Sequence, residues 1–179
     1  KLFRAQPSAL NQRPDSSARR FGVGDLPLEV VRQCAHEAGV SINDVLLCVV
    51  DAAVHRYLLE SGRGPAAELV AGMPVSLRAE GVEGGNEAGM LTIDLGGPEL
   101  SEASRLDAIA ENTRRSKTYL KELPGGVLMG YGISVLGMPL LLHSIPGLVE
   151  KWPVIYLGVS NVSPPKGSNY LDNYLYLKG

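Results

Sequence analysis

The run "ELVAGMPVSL" (Glu68 to Leu77) has no polar side chain between Leu69 and Val75. A strand with one face in water alternates apolar and polar residues, so a strand of this composition must be covered on both faces. "MLTIDL" (Met90 to Leu95) reads as a second strand, reached through the glycine-rich loop "RAEGVEGGNEAG". "PVIYLGVSNV" (Pro153 to Val162) reads as a third and "YLDNYLYLKG" as a last one. "RRFGVGDLPL" (Arg19 to Leu28) alternates weakly, as a strand feeding a helix would.

Helical signals separate these strands. Pro27 suits a first turn and Gly39 a C-cap, which predicts a helix over Leu28–Ala38. Ser41 can cap a helix from about Asn43 to Glu60, ended by Gly62 and Gly64. Ser101 opens an amphipathic helix to about Lys121, with Leu106, Ile109, Ala110, Thr113 and Leu120 near one face. Gly125 and Gly126 should break it. Helices and strands alternate, so the class is α/β, a mixed sheet covered by helices.

Residues 1–18, polar and containing Pro7 and Pro14, read as a linker, and 19–179 as a domain. The opening has neither an apolar signal core nor a start Met and reads as the interior of a longer chain. Hydrophobic residues at 45% supply a real core, and a net charge of −2 without a basic block argues against a nucleic-acid groove. Cys34 and Cys48 both fall in predicted helices, which favours free buried thiols in a reducing compartment.

The stretch "VSINDVLLCVVDAAVHRYLL" (Val40 to Leu59) holds two polar groups where one cap would serve. At about 100° per residue, Asn43 shares a face with Leu47, Val50, Val54 and Tyr57. Asp44 lies opposite, with Cys48, Asp51 and His55. The helix dipole accounts for a first-turn carboxylate. It does not account for an inward carboxamide, which costs roughly 1–3 kcal/mol when unpartnered. Asn43 must either bond a neighbouring segment or meet a substrate. The Asp44, Cys48, Asp51, His55 stripe has metal-ligand residue types, but one helix rarely supplies a full ligand set, so an Asp51–His55 surface pair is the better reading and no metal is expected.

Other motifs are weaker. "GISVLG" around Ser134 lacks the second glycine of a nucleophile elbow, and "GYGISVLG" misses the dinucleotide-loop spacing. Val127–Val149 has the length of a membrane span, yet its glycines, Pro139 and Pro146 favour a broken helix packed on protein, membrane surface or acyl chain. The "NVS" sequon is followed by Pro164, which speaks against glycosylation.

Four pieces in order, "INDVLL" (Ile42 to Leu47), "MPVSLR" (Met73 to Arg78), "GGN" (Gly84 to Asn86) and "GVSNV" (Gly158 to Val162), resemble the C-terminal half of bacterial wax ester synthase/diacylglycerol acyltransferases. "SALNQRPDSSARRF" and "LYLKG" also resemble that family's text. The resemblance implies half of a CoA-dependent, chloramphenicol acetyltransferase-like two-domain fold. It implies a His-His-x-x-x-Asp-Gly segment in the N-terminal half, whose second His deprotonates an alcohol that attacks acyl-CoA. It places Asn43 and Asp44 in an Asn-Asp motif beside the substrate tunnel, and Ser160 and Asn161 opposite the reaction centre. Neutral donors such as Asn43 or Ser160 suit a developing oxyanion. Arg78 suits a CoA phosphate or a strand end, and Asn86 a substrate contact or a turn.

The implied partners are acyl-CoA, a long-chain alcohol or diacylglycerol, and the N-terminal catalytic domain, with no cofactor beyond the acyl-CoA substrate. The implied location is cytoplasmic, with peripheral membrane or lipid-droplet contact. Departures from the family are clear: His36, His55 and His143 have no His neighbour and no following Asp-Gly, and Ser163 replaces the usual proline. The chain therefore reads as an incomplete C-terminal acyltransferase domain, inactive alone. Competing readings are a non-catalytic lipid- or partner-binding module of the same fold and a condensation-type acyltransferase.

Overall fold

The computed structural model describes residues 5, 8–12, 16–63, 68–76, 88–145, 147–151 and 153–161. Helices α1 (Leu28–Ala38) and α2 (Ile42–Glu60) precede strands β1 (Val70–Ser76) and β2 (Ala88–Asp94). Helices α3 (Glu102–Glu122), α4 (Gly125–Ser144) and α5 (Leu148–Lys151) follow, then the short strand β3 (Leu157–Gly158). The sheet order is β2-β1-β3, with β1 antiparallel to β2 and parallel to β3. The mixed, helix-covered sheet expected from the alternation is the one observed.

β1 lies in the middle and is buried from Val70 to Met73, whereas Pro74 beyond them is exposed. On one face, Leu69, Ala71 and Met73 join Leu91, Ile93 and Leu95 of the β2 segment, against Leu47 and Leu58 of α2 and Ile109 and Leu120 of α3. The register Ala71↔Ile93 and Met73↔Leu91 sets these side chains side by side. On the other face a side chain at Gly72 would come within 3.1 Å of Ile155 Cδ1 and 3.5 Å of Met90 Sδ, so glycine admits the close approach of the segment leading to β3. β2 is an outer strand, and α3 satisfies its outward carbonyls: Asn112 Nδ2 donates to Asp94 O at 2.8 Å and Ser116 Oγ to Thr92 O at 3.3 Å.

The helix ends follow local chemistry. Gly39 takes φ +67° and its amide bonds back into the last turn of α1, a conformation in which a Cβ is strained. The chain then turns straight into α2. A satellite cluster of Val31, Ala35 and Val45 packs α1 on α2. The 3-10 turn at Ala9–Asn11 lies on the same body: Ala9 and Leu10 touch the core, and Asn11 Nδ2 donates to Ile155 O at 3.1 Å.

Several expectations are corrected. Residues 19–27 form no strand, and Phe21 and Val23 stand exposed at 74% and 71%. The third strand shrinks to two residues, bracketed by Tyr156 N donating to Val70 O and Val159 N to Gly72 O. Pro153, which lacks an N–H, sits at its approach. Cys34 is exposed, and Cys48 is only half-buried. α4 is one continuous helix through Pro139, and the break falls after Ser144. Among the described residues no single helix is long and apolar enough to cross a membrane. The expected last strand (170–179) and the sequon's end lie outside the described residues.

Ile93→Ala, at the fully buried centre of the sheet, should cost about 2–5 kcal/mol in urea unfolding. Val30→Ala on the exposed side of α1 should stay within about 0.5 kcal/mol.

Candidate functional site

The Asn43–Asp44 pair divides its work between two sides of α2. Asp44 occupies the third position of a capping box: its Oδ2 accepts from Ser41 N at 2.9 Å and from Ser41 Oγ at 2.6 Å. Ser41 Oγ in turn accepts from Asp44 N at 3.3 Å. Two orphan donors of the first turn are thereby satisfied, and the buried carboxylate sits at the positive end of the helix dipole. Asp44 is a structural residue.

Asn43 points the other way, to a pocket of about 60 Å³. Leu26, Leu46, Leu47, Val50, Met73 and Val159 form most of its wall, which is apolar throughout, and Asn43, Ser160 and Asn161 border it without adding polar surface. Asn161 Nδ2 donates to Asn43 Oδ1 at 2.6 Å, joining residues 118 positions apart. The sheet makes this meeting possible. Val159 N bonds Gly72 O at 2.9 Å, so the chain leaving β3 is delivered beside the first turn of α2. Three sequence-predicted residues therefore converge. Arg78 and Asn86 lie outside the described residues. Among the described residues, none of α4 lines this pocket.

The opposite face of α2 holds a correction. Asp51 and His55 are not a surface pair: they are exposed by 0% and 3%, because α3 packs over them and brings in Arg105. Arg105 Nε lies 2.9 Å from Asp51 Oδ2, and His55 Nε2 lies 3.3 Å from Asp51 Oδ1 and 3.2 Å from Gly96 O. Arg105 also donates to Gly97 O at 3.4 Å. The cluster clamps the turn between β2 and α3 onto α2. Burial pushes the Asp51 carboxyl up to about 6, against the opposing pull of the His55 and Arg105 charges. Burial likewise raises the Cys48 thiol. Among the described residues, no group of three or more His, Cys, Asp or Glu is arranged to hold a metal ion.

Arg105 was legible in one respect. It falls in the same stripe as Ile109 and Thr113, so a charge interrupts an apolar face at four-residue spacing, and a buried charge demands a partner. Leu26 and Met73 carry no such signal, since only the tertiary fold brings them to the pocket.

The chain resembles known proteins in sequence and in fold. Residues 1–46 match the family model described as the wax ester synthase/diacylglycerol acyltransferase catalytic domain. The "probable diacylglycerol O-acyltransferase Tgs4" of Mycobacterium tuberculosis is 34% identical over 170 residues, 94% of this chain and 36% of that protein. The O-acyltransferase WSD of Acinetobacter baylyi is 32% identical over 168 residues, again 94% and 36%. The solved wax ester synthase/diacylglycerol acyltransferase of Marinobacter aquaeolei VT8 superposes with a TM-score of 0.73 at 25% identity, over 88% of this chain and 35% of that one. The chain spans about a third of the length of the relatives it matches.

Two changes test the charged cluster. A Cβ at Gly96 would lie 2.6 Å from Arg105 Cγ and 3.1 Å from Asp51 Oδ2, and Arg105 is held in place. Gly96→Ala should therefore cost about 1–3 kcal/mol in chemical denaturation. The raised Asp51 carboxyl means that the folded state binds a proton more tightly than the unfolded chain. Its contribution is full below about pH 4 and fades as pH rises to about 6. The stability of wild type relative to Asp51→Asn, which stays neutral, should fall across that window and level off above it.

Proposed function

We propose that this chain, related in sequence and fold to the wax ester synthase/diacylglycerol acyltransferases, forms the C-terminal part of an O-acyltransferase. The protein moves a fatty acyl group from acyl-CoA to a long-chain alcohol or diacylglycerol. In this reading residues 19–179 form part of a C-terminal domain and residues 1–18 connect it to the catalytic half. That half supplies the general base, a histidine, and acyl-CoA is a substrate rather than a bound cofactor. The reading puts the protein in the cytoplasm, with the exposed Ile133 and Leu141 of α4 suited to peripheral contact with a membrane or lipid droplet.

The observation that carries the proposal is the union of Asn43 with Ser160 and Asn161 at an apolar pocket. Thioester attack places negative charge on the carbonyl oxygen. Neutral N–H and O–H donors stabilise that charge without giving up a proton. The walls from Leu46, Val50, Met73 and Val159 suit the first carbons of an acyl or alkyl chain. Asn43 is the principal donor in this scheme and Ser160 the second. Asp44 holds the turn on which Asn43 stands.

Acyl transfer by the protein carrying this chain with its catalytic half provides the test. Asn43→Ala should lower kcat by about 10²–10³ with little change in KM, because the bond forms in the transition state. Wild-type kcat in that variant rejects the oxyanion role of Asn43. Ser41→Ala, which removes the capping box, should cost about 0.5–2 kcal/mol of stability.

A further inference from the structure

A very short strand at the edge of a sheet is poorly held by its own ladder. Strands usually run to about 3–10 residues, and sparsely bonded segments open locally. β3 has two residues, lies at the edge of the sheet, and leads directly into Ser160 and Asn161. Its inner side is held by Tyr156 N donating to Val70 O and Val159 N donating to Gly72 O, each at 2.9 Å. In a trans peptide the C=O and the following N–H point to opposite sides. The Tyr156 N–H is directed inward to β1, so the Ile155 carbonyl is directed outward, away from the sheet.

Asn11 meets that outward carbonyl. Its Nδ2 donates to Ile155 O at 3.1 Å, across 144 positions of sequence. A main-chain carbonyl has no proton to give, so only the NH2 end of the carboxamide can face it, and the partner fixes the orientation of Asn11. The donor is itself anchored: Asn11 ends a 3-10 turn capped by Ser8, and Ala9 and Leu10 of that turn pack against the core. One peptide unit is therefore gripped from both sides, by Val70 within the sheet and by Asn11 outside it. We propose that Asn11 is a positioning residue that pins the outer side of the Ile155–Tyr156 peptide, keeping β3 in register on β1 so that Ser160 and Asn161 are delivered beside Asn43. Residues 8–12, read in the sequence as part of a linker, act as a strap over the edge of the sheet. The expected effect on rate rests on the reading of Asn43, Ser160 and Asn161 as the reacting site; the effect on β3 does not.

The test compares Asn11→Asp with Asn11→Ala in the protein carrying this chain with its catalytic half. Asp keeps the shape of Asn but sets an acceptor against the Ile155 carbonyl at neutral pH, whereas Ala simply removes the donor. Hydrogen exchange at the Tyr156 and Val159 amides should quicken by about 10-fold in Ala and by more in Asp. kcat should fall by about 10-fold with KM little changed, short of the roughly 10²-fold that a misplacement of about 1 Å can cost. Ile93→Val, which removes a core methyl on the β2 side of the sheet, is the control: it should lower Tm without selectively quickening those two amides and without lowering kcat.

Unchanged exchange at Tyr156 and Val159 in both variants overturns the proposal. So does a milder effect of Asp than of Ala, which would make Asn11 a space-filler rather than a donor. Quickened exchange with wild-type kcat, in a protein slowed by Asn43→Ala, overturns it too, since Asn11 then stabilises the edge without positioning the site. Wild-type kcat in Asn43→Ala is the separate failure of the underlying reading, and the exchange rates still decide whether Asn11 holds β3. Thermal melting checks the fold, and should Asn11→Asp melt early, Asn11→Ala set against Ile93→Val carries the comparison.

Discussion

The central strand β1 is the constraint from which the rest of the molecule follows. It has no polar face to give to water, so it needs layers on both sides and a partner at each edge. α2 and α3 cover one face, and Ile155 with the approach to β3 closes on the other at Gly72. β2 takes one edge and β3 the other. Burial of this kind contributes roughly 25 cal/mol per Å² of apolar surface, a force without direction that cannot by itself select a register. Selection comes from the ladder bonds, and at Gly72 a Cβ would press on the Ile155 side chain at 3.1 Å.

The candidate site inherits its geometry from that strand. Asn43 stands at the start of α2, and Ser160 and Asn161 stand just past β3; nothing local connects them. The parallel pairing of Ala71 with Leu157 and Gly72 with Gly158 sets where the chain leaves the sheet. The capping box sets where α2 begins. The Asn43–Asn161 bond closes the gap between these two fixed points. The opposite face of α2 is held by a buried charge cluster, and breaking a buried pair by removing one partner costs about 3–5 kcal/mol. The helix is thus held from two sides.

Local signals were readable in the sequence and tertiary ones were not. Pro27 and Gly39 bounded α1 correctly, and Ser41 with Asp44 announced the start of α2, because caps are written in adjacent residues. Asn43 was identifiable as an anomaly: an amide on an apolar face asks for a partner. The identity of that partner, 118 residues away, was not foreseen: the resemblance set Asn161 at the reaction centre without pairing it with Asn43. Asp51 and His55 were misplaced at the surface because helical periodicity cannot tell which of two faces a later helix will cover. Residues 19–27 looked like a strand because weak alternation says nothing about whether an edge is free to receive them.

The continuity of α2 bears on how such proteins can be recombined. The match to the catalytic-domain family ends at residue 46, yet the helix runs unbroken from Ile42–Glu60. One rod of backbone therefore carries the pocket amide at its tip and the Asp51–His55 clamp along its shaft. A chimera spliced at that sequence border would join the head of one parent's helix to another parent's shaft, and a small mismatch in helical phase would swing Asn43 away from residue 161. Crossovers placed outside Ile42–Glu60 keep tip and shaft from one parent.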